Sequence, residues 1–137
     1  MAKTRSETCA ERISTHMEGR LEDLQKFYQA AQEGKEEVED LGNIDEYGLC
    51  FDYIPAETYK NQDEGYFAWQ LSWGGPSDEF RLFVDAGLHC HRIEYWFLDW
   101  FDGAHVVLTG KDRKLVNYFV DRFRELDVMT AAMERAK

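Results

Sequence analysis

Positive charge is what the middle of this chain has least of. Residues 48–110 hold three bases against ten acids. A surface that binds DNA or RNA directly needs clustered Lys and Arg to neutralise phosphates, so this segment disfavours direct nucleic-acid binding. Residues 1–47 add six bases and twelve acids, and only residues 111–137 turn slightly basic, with seven against five. The net charge of the 137 residues is −11. Such a field draws basic partners, among them proteins whose own task is to hold nucleic acid. Solubility is the plainer use of the same charge.

Other absences narrow the class further. The three cysteines, Cys9, Cys50 and Cys90, are odd in number and widely spaced, which excludes a dense disulfide framework and paired CxxC metal halves. No run approaches the roughly 18 apolar residues that a membrane span requires. The opening "MAKTRSETCAERIS" lacks the apolar stretch of a secretion signal. These features predict a cytoplasmic protein with reduced thiols, no membrane partner and no cofactor. Internal repeats and low-complexity tracts are also missing.

What the chain does have is aromatic mass: nine Phe, seven Tyr and four Trp within a 44% apolar composition. Large rings bury much area each, so one dense core is expected, in one domain spanning 1–137. An N-terminal helical segment, 1–43, opens with a helix over about 6–33. Ser6 is its expected cap, and the apolar seam runs through Ile13, Met17, Leu24, Phe27 and Ala31. Arg20 and Gly34 interrupt that seam. Gly34 is either a terminating glycine or a tolerated one, and "EGKEEVEDLGN" reads as a second helical stretch.

From 47 to 109 the period changes to two. "YGLCFDYI", "YFAWQLSW", "EFRLFVD", "RIEYWFLDWF" and "AHVVLT" predict an antiparallel sheet of about five strands. "WGGPSDE" is read as a hairpin turn: its glycines leave a strand, and Asp78 and Glu79 would repel a phosphate. Asp102-Gly103 is read as another hairpin turn. A C-terminal helix over 110–135 follows, with Thr109 and Asp112 resembling a capping box. Helix, sheet, helix in that order predicts an α+β fold with the helices on one sheet face.

Three constellations bear on chemistry. "LHCHR" places His89 and His91 on one face as weak metal candidates, without a second paired half. Carboxylates among tryptophans, Glu94 with Asp99 or Asp99 with Asp52, offer acid–base pairs, but no nucleophile or oxyanion loop accompanies them. The commoner role of such acids is structural. The third reading is recognition. Trp69, Trp73, Trp96 and Trp100 on a sheet face, rimmed by Asp78, Glu79, Asp85, Asp99 and Asp102, have the makeup of a binding surface with aromatic anchors and acidic steering. If helices cover only one face, the other aromatic face needs a partner.

The block from Tyr47 to Ala104, above all "QLSWGGPSDEF" and "YWFLDWFDGA", resembles small uncharacterised acidic proteins carried by phages and conjugative elements. That resemblance implies a host-interaction role. Acidic phage proteins of similar size and charge inhibit CRISPR or restriction machinery by occupying nucleic-acid-binding surfaces. The expected function is therefore a non-enzymatic inhibitor of a nucleic-acid-binding host defence complex, acting by nucleic-acid mimicry in the host cytoplasm. Trp73 and Trp100 would anchor it, and Asp78, Glu79, Asp85, Asp99 and Asp102 would present charge to a basic, nucleic-acid-handling protein. The alternative is a small-molecule or metal-binding domain, an enzyme among the options, built on the aromatic and carboxylate sheet face. A third option is a homodimer through the N-terminal seam.

Overall fold

The structure, a computed structural model, describes residues 8–74, 76–99 and 102–137. Helix α1 spans Cys9–Gln32. The expected cap, Ser6, lies outside the described residues; Thr8 takes that place. Its hydroxyl accepts the Glu11 amide at 3.2 Å, and the Glu11 carboxylate accepts the Thr8 amide at 3.3 Å, a complete capping box. At the other end Gly34 sits at φ 74°, where Lys35 N–H reaches Ala30 O at 2.8 Å. This left-handed glycine ends the helix, settling the choice left open by the sequence. Ile13, Leu24, Phe27 and Ala30 form the buried stripe. Ala31, expected there, is exposed.

The expected second helix is not formed. Strands β1 (Glu37–Val38) and β2 (Gly42–Asn43) pair as a tight antiparallel hairpin, followed by one 3₁₀ turn at Ile44–Glu46. Two causes are visible. Asp40 and Gly42 adopt φ of 70° and 78°, which a helix cannot contain. A helix would also have stacked Glu36 on Glu39 and Asp40, like charges at repulsive spacings. Val38 and Leu41 still pack against the core.

Five strands form the main sheet in sequential antiparallel order: β3 (Cys50–Ile54), β4 (Tyr66–Ser72), β5 (Ser77–Val84), β6 (Cys90–Asp99) and β7 (Asp102–Val107). The turn after β4 falls at Trp73–Pro76 as expected, with Gly74 at φ 100°. The expected Asp102-Gly103 turn is displaced. Asp99 pairs with Asp102 and Leu98 with Gly103, so Asp102 and Gly103 both belong to β7. The start of α1 holds this register. Asp102 accepts the Cys9 amide at 2.7 Å, and Asp99 accepts Arg12 at 2.6 Å.

The single expected C-terminal helix is two. Helix α2 (Gly110–Glu125) ends at Leu126, Asp127 turns left-handed at φ 61°, and α3 (Val128–Arg135) begins. Breaking there lets α3 lay Met129 and Ala132 into the core, while Leu126 at the break stays exposed. Thr109 occupies the cap position of α2, but its side chain makes no capping bond. All three helices share one core with the Phe67, Trp69, Phe80, Leu82, Tyr95 and Phe97 face of the sheet. Among the described residues, no helix is long and apolar enough to cross a membrane.

Candidate functional site

Alternation along each strand sends half the aromatic side chains under the helices and half to the opposite face. Phe51, Phe67, Trp69, Phe80, Tyr95 and Phe97 go under the helices. Tyr66, Ala68 and Phe83, with Ile54 beside them, form a separate small cluster on the other side. The tryptophans therefore do not share a face. Trp69 pairs across from Phe80 and is buried in the core, whereas Trp96 pairs across from Glu79 on the opposite side.

That second face is concave. Among the described residues no helix covers it and the β3–β4 loop alone arches over it, leaving a groove of about 770 Å³. The loop is a built structure. Gln62 donates to the carbonyls of Pro55 and Glu64 at 2.9 Å each, and accepts the Tyr59 amide at 3.0 Å. Its backbone carbonyl accepts the Glu57 amide at 2.8 Å. Glu57 and Asn61 take φ of 65° and 61° to make the curl. One side chain thus ties the loop to the end of β3 and the start of β4.

The groove floor carries two arginines stacked on rings. The Arg81 guanidinium carbon lies 3.8 Å from the Trp96 ring centre and 4.9 Å from that of Tyr66, and its Nε donates to Glu79 at 2.8 Å. Arg92 lies 3.8 Å over Phe83 and donates to Glu94 at 3.1 Å and to Glu64 of the loop at 2.9 Å. Glu94 also accepts Trp96 Nε1 at 2.9 Å, and His105 stacks on the outer side of that tryptophan at 4.4 Å. Cation–π contact and ion pairing together fix both guanidinium planes. Burial pushes the Tyr66 phenol up to about 12, against the opposing pull of Arg81. The Cys50 thiol at the groove edge is also raised, first by burial and then by its hydrogen bond to the Asp52 carboxylate.

The residues expected to form one surface are dispersed. Trp73 is 72% exposed and lines the groove, and Glu79 lies in its floor paired with Arg81. Asp78 points the other way and is 3% exposed, held by Arg20, Ser72 and Tyr95 beneath the helices. Asp99 and Asp102 bind the start of α1. Asp85 lies at the far end of the sheet, where it accepts the Gly87 and His89 amides in a turn. Trp100 lies outside the described residues. Asp99 cannot pair with Glu94 or with Asp52, since Asp99 shares a face with Tyr95 and Phe97 while the other two carboxylates line the groove. His89 sits beside Arg124 and His91 beside Glu64. Among the described residues, no group of three or more His, Cys, Asp or Glu side chains converges on a metal-sized point.

Sequence reasoning missed Gln62, Glu64, Arg81 and Arg92 as groove residues. Two of them had a signal: Arg81 and Arg92 are two of the three bases between residues 48 and 110, each set in an apolar strand. Bases that rare in such surroundings are held by something. Gln62 and Glu64 had none, since a polar loop announces no anchor.

Fold and groove define an α+β protein with one meander sheet, helices on one face and a charged aromatic concavity on the other. No protein-family model, curated protein or solved structure matches the chain.

Proposed function

We propose that this is a binding protein that acts by engaging a basic, nucleic-acid-handling protein, with the concave sheet face as its contact surface. One observation carries the reading: a sheet face carrying Trp96, Tyr66 and Phe83, with Trp73 beside it, is left without a helical cover among the described residues. A sheet normally buries such a face, and a concavity with convergent polar groups is the default place for a ligand or partner. The net charge of −11 selects the sign of the partner. In the setting suggested by the phage-protein resemblance, the consequence is inhibition of a restriction or CRISPR nuclease by competition with nucleic acid.

The test is inhibition itself. Purified protein is titrated into DNA cleavage by a panel of restriction and RNA-guided nucleases, with binding measured across a salt series. Inhibition of a panel member that weakens as salt rises is the expected result. Absence of binding to every basic nucleic-acid-binding protein at low salt would remove the reading.

The groove's volume favours a second one. About 770 Å³ lies within the range of small-molecule pockets, roughly 300–1,000 Å³. A thermal-shift screen against metabolites separates the two, because a small ligand raises the melting temperature without any protein partner.

A further inference from the structure

The groove itself specifies what kind of group it receives, if the reading of this face as the contact surface holds. Five carboxylates line it, Asp52, Asp63, Glu64, Glu79 and Glu94, against the cations Lys60, Arg81 and Arg92. The two arginines are already satisfied: Arg81 by Glu79, Arg92 by Glu94 and Glu64. An incoming anion would have to displace a carboxylate to reach either. The acid with spare charge lies elsewhere, at the rim. Asp63 on the loop is exposed with no cation on it among the described residues, and Asp52 on β3 has only Arg135 at 3.8 Å, the side chains of that pair both more than half exposed. Lys60 offsets one of these charges and not both.

The apolar part of the rim points the same way. Trp73 and Tyr59 are 72% and 59% exposed, the two most exposed large apolar side chains among the described residues, and both line this groove. Aromatic faces beside free carboxylates are the chemistry that holds an ammonium or guanidinium group. The floor beyond the rim crosses four strands, about 14 Å at ordinary strand spacing. That length suits several residues of extended chain better than one compact cation.

We infer that the groove takes an extended, arginine- or lysine-bearing segment of a protein partner, its cationic side chains meeting the rim at Tyr59 and Asp63 of the loop, at Asp52 of β3 and at Trp73 beyond the far end of β4. Nothing covalent is involved; the segment's basic side chain exchanges water for aromatic and carboxylate contacts.

The probe is a fluorescein-labelled Arg-Gly repeat peptide of eight residues, titrated by anisotropy at one fixed ionic strength. A matched Gln-Gly peptide and spermine are the comparison ligands. An acidic protein attracts any polycation, so the variants are balanced for charge. Asp52→Asn with Asp63→Asn removes two rim charges, and Glu18→Gln with Glu22→Gln removes two from the exposed side of α1. The rim pair, and separately Trp73→Ala, should weaken the Arg-Gly peptide by about tenfold. The helix pair should change it by less than about twofold. Trp73 emission should shift to the blue as the peptide seats, a signal absent in Trp73→Phe. Equal weakening by the two charge-balanced pairs would overturn the groove assignment while leaving the protein an acidic binder. Spermine matching the peptide in both affinity and rim dependence would also overturn it, in favour of a free polyamine. Failure of the wild type to bind any of the three would overturn this inference alone, if nuclease partners are still bound.

Discussion

Arg20 and Asp78 meet as a two-bond ion pair beneath the helices: Nε and Nη2 donate to the two carboxylate oxygens at 2.7 and 2.9 Å. Asp78 also accepts from Tyr95 at 2.6 Å and from Ser72, and Arg20 reaches Tyr47, which donates to Asp23 at 2.7 Å. Every polar group of this cluster has a partner, so α1 is fixed on β5 at one depth. Removing one member leaves a buried charge unmatched. Asp78→Ala should therefore cost about 3–5 kcal/mol, measured by chemical denaturation. Arg20→Met combined with Asp78→Asn should cost less than the two single changes summed. Strict additivity would mean the pair contributes no coupling.

The same carboxylate sets the acid limit of the fold. Burial would raise the Asp78 pKa, but the bonds from Arg20, Ser72 and Tyr95 outweigh it and hold it below the ordinary 3.8. The folded value is the lower one. Its stabilisation is therefore complete above about pH 4 and is lost as pH falls through the depressed value. Urea midpoints measured from pH 6 down to pH 2 should fall steeply in the acid part for the wild type. Asp78→Asn should start lower and lose less over the same range. Parallel curves would assign acid sensitivity to other carboxylates.

Much of the fold was legible because its signals are local. Period-two alternation located the five strands, and Gly34 offered one of two readings for the end of α1, which its φ of 74° decided. The interruption of the helical seam at Arg20 was the trace of the buried ion pair, visible in sequence but without its partner. The partner was hidden because Asp78 and Glu79 are adjacent acids, and alternation sends one to each face with no composition rule to say which. Glu94 and Asp99 were misjoined although their odd spacing within one strand already sends them to opposite faces. The acidic stretch 35–43 looked helical from composition, and its two left-handed residues decided otherwise. The groove was the least legible part, since it depends on where a polar loop comes to rest over a sheet.

That loop gives the third prediction. Gln62 supplies three of its side-chain anchors, to Pro55, Glu64 and Tyr59. Gln62→Ala should lower stability by about 1–2 kcal/mol, given about 1 kcal/mol net for each typical bond and partial access of the freed groups to water. Amide exchange should rise across residues 56–64 and remain unchanged in α2. Uniform acceleration through the whole chain would show that the anchor supports the fold and not the groove wall alone.

Exchange also reads the other end of the sheet. Asp102 accepts the Cys9 amide, and this bond together with Arg12–Asp99 ties the first turn of α1 to the β6–β7 corner. The Asp102 carboxyl is held below its ordinary value chiefly by that amide. Asp102→Ala should speed exchange at the first turn of α1 while residues 24–30 stay protected. An unaltered first turn would mean the Thr8–Glu11 capping box holds the helix start unaided.

Cys50 offers a chemical probe of the groove edge. It is exposed while Cys9 is buried, so a thiol reagent should modify Cys50 first and leave Cys9 intact until the chain unfolds. Exposure alone would predict a fast reaction, yet burial of the sulfur and the Asp52 carboxylate both raise its pKa. The thiolate is the reactive form, so modification near pH 8 should be slower than for a free cysteine and should climb with pH beyond the ordinary thiol range. Asp52→Asn withdraws the charge and should speed the reaction by about two- to threefold. A rate indifferent to Asp52 would separate the thiol from the carboxylate and weaken the assignment of both to one rim. A rate that rises in the variant and falls again when the Arg-Gly peptide is added would join the two residues to the same occupied edge.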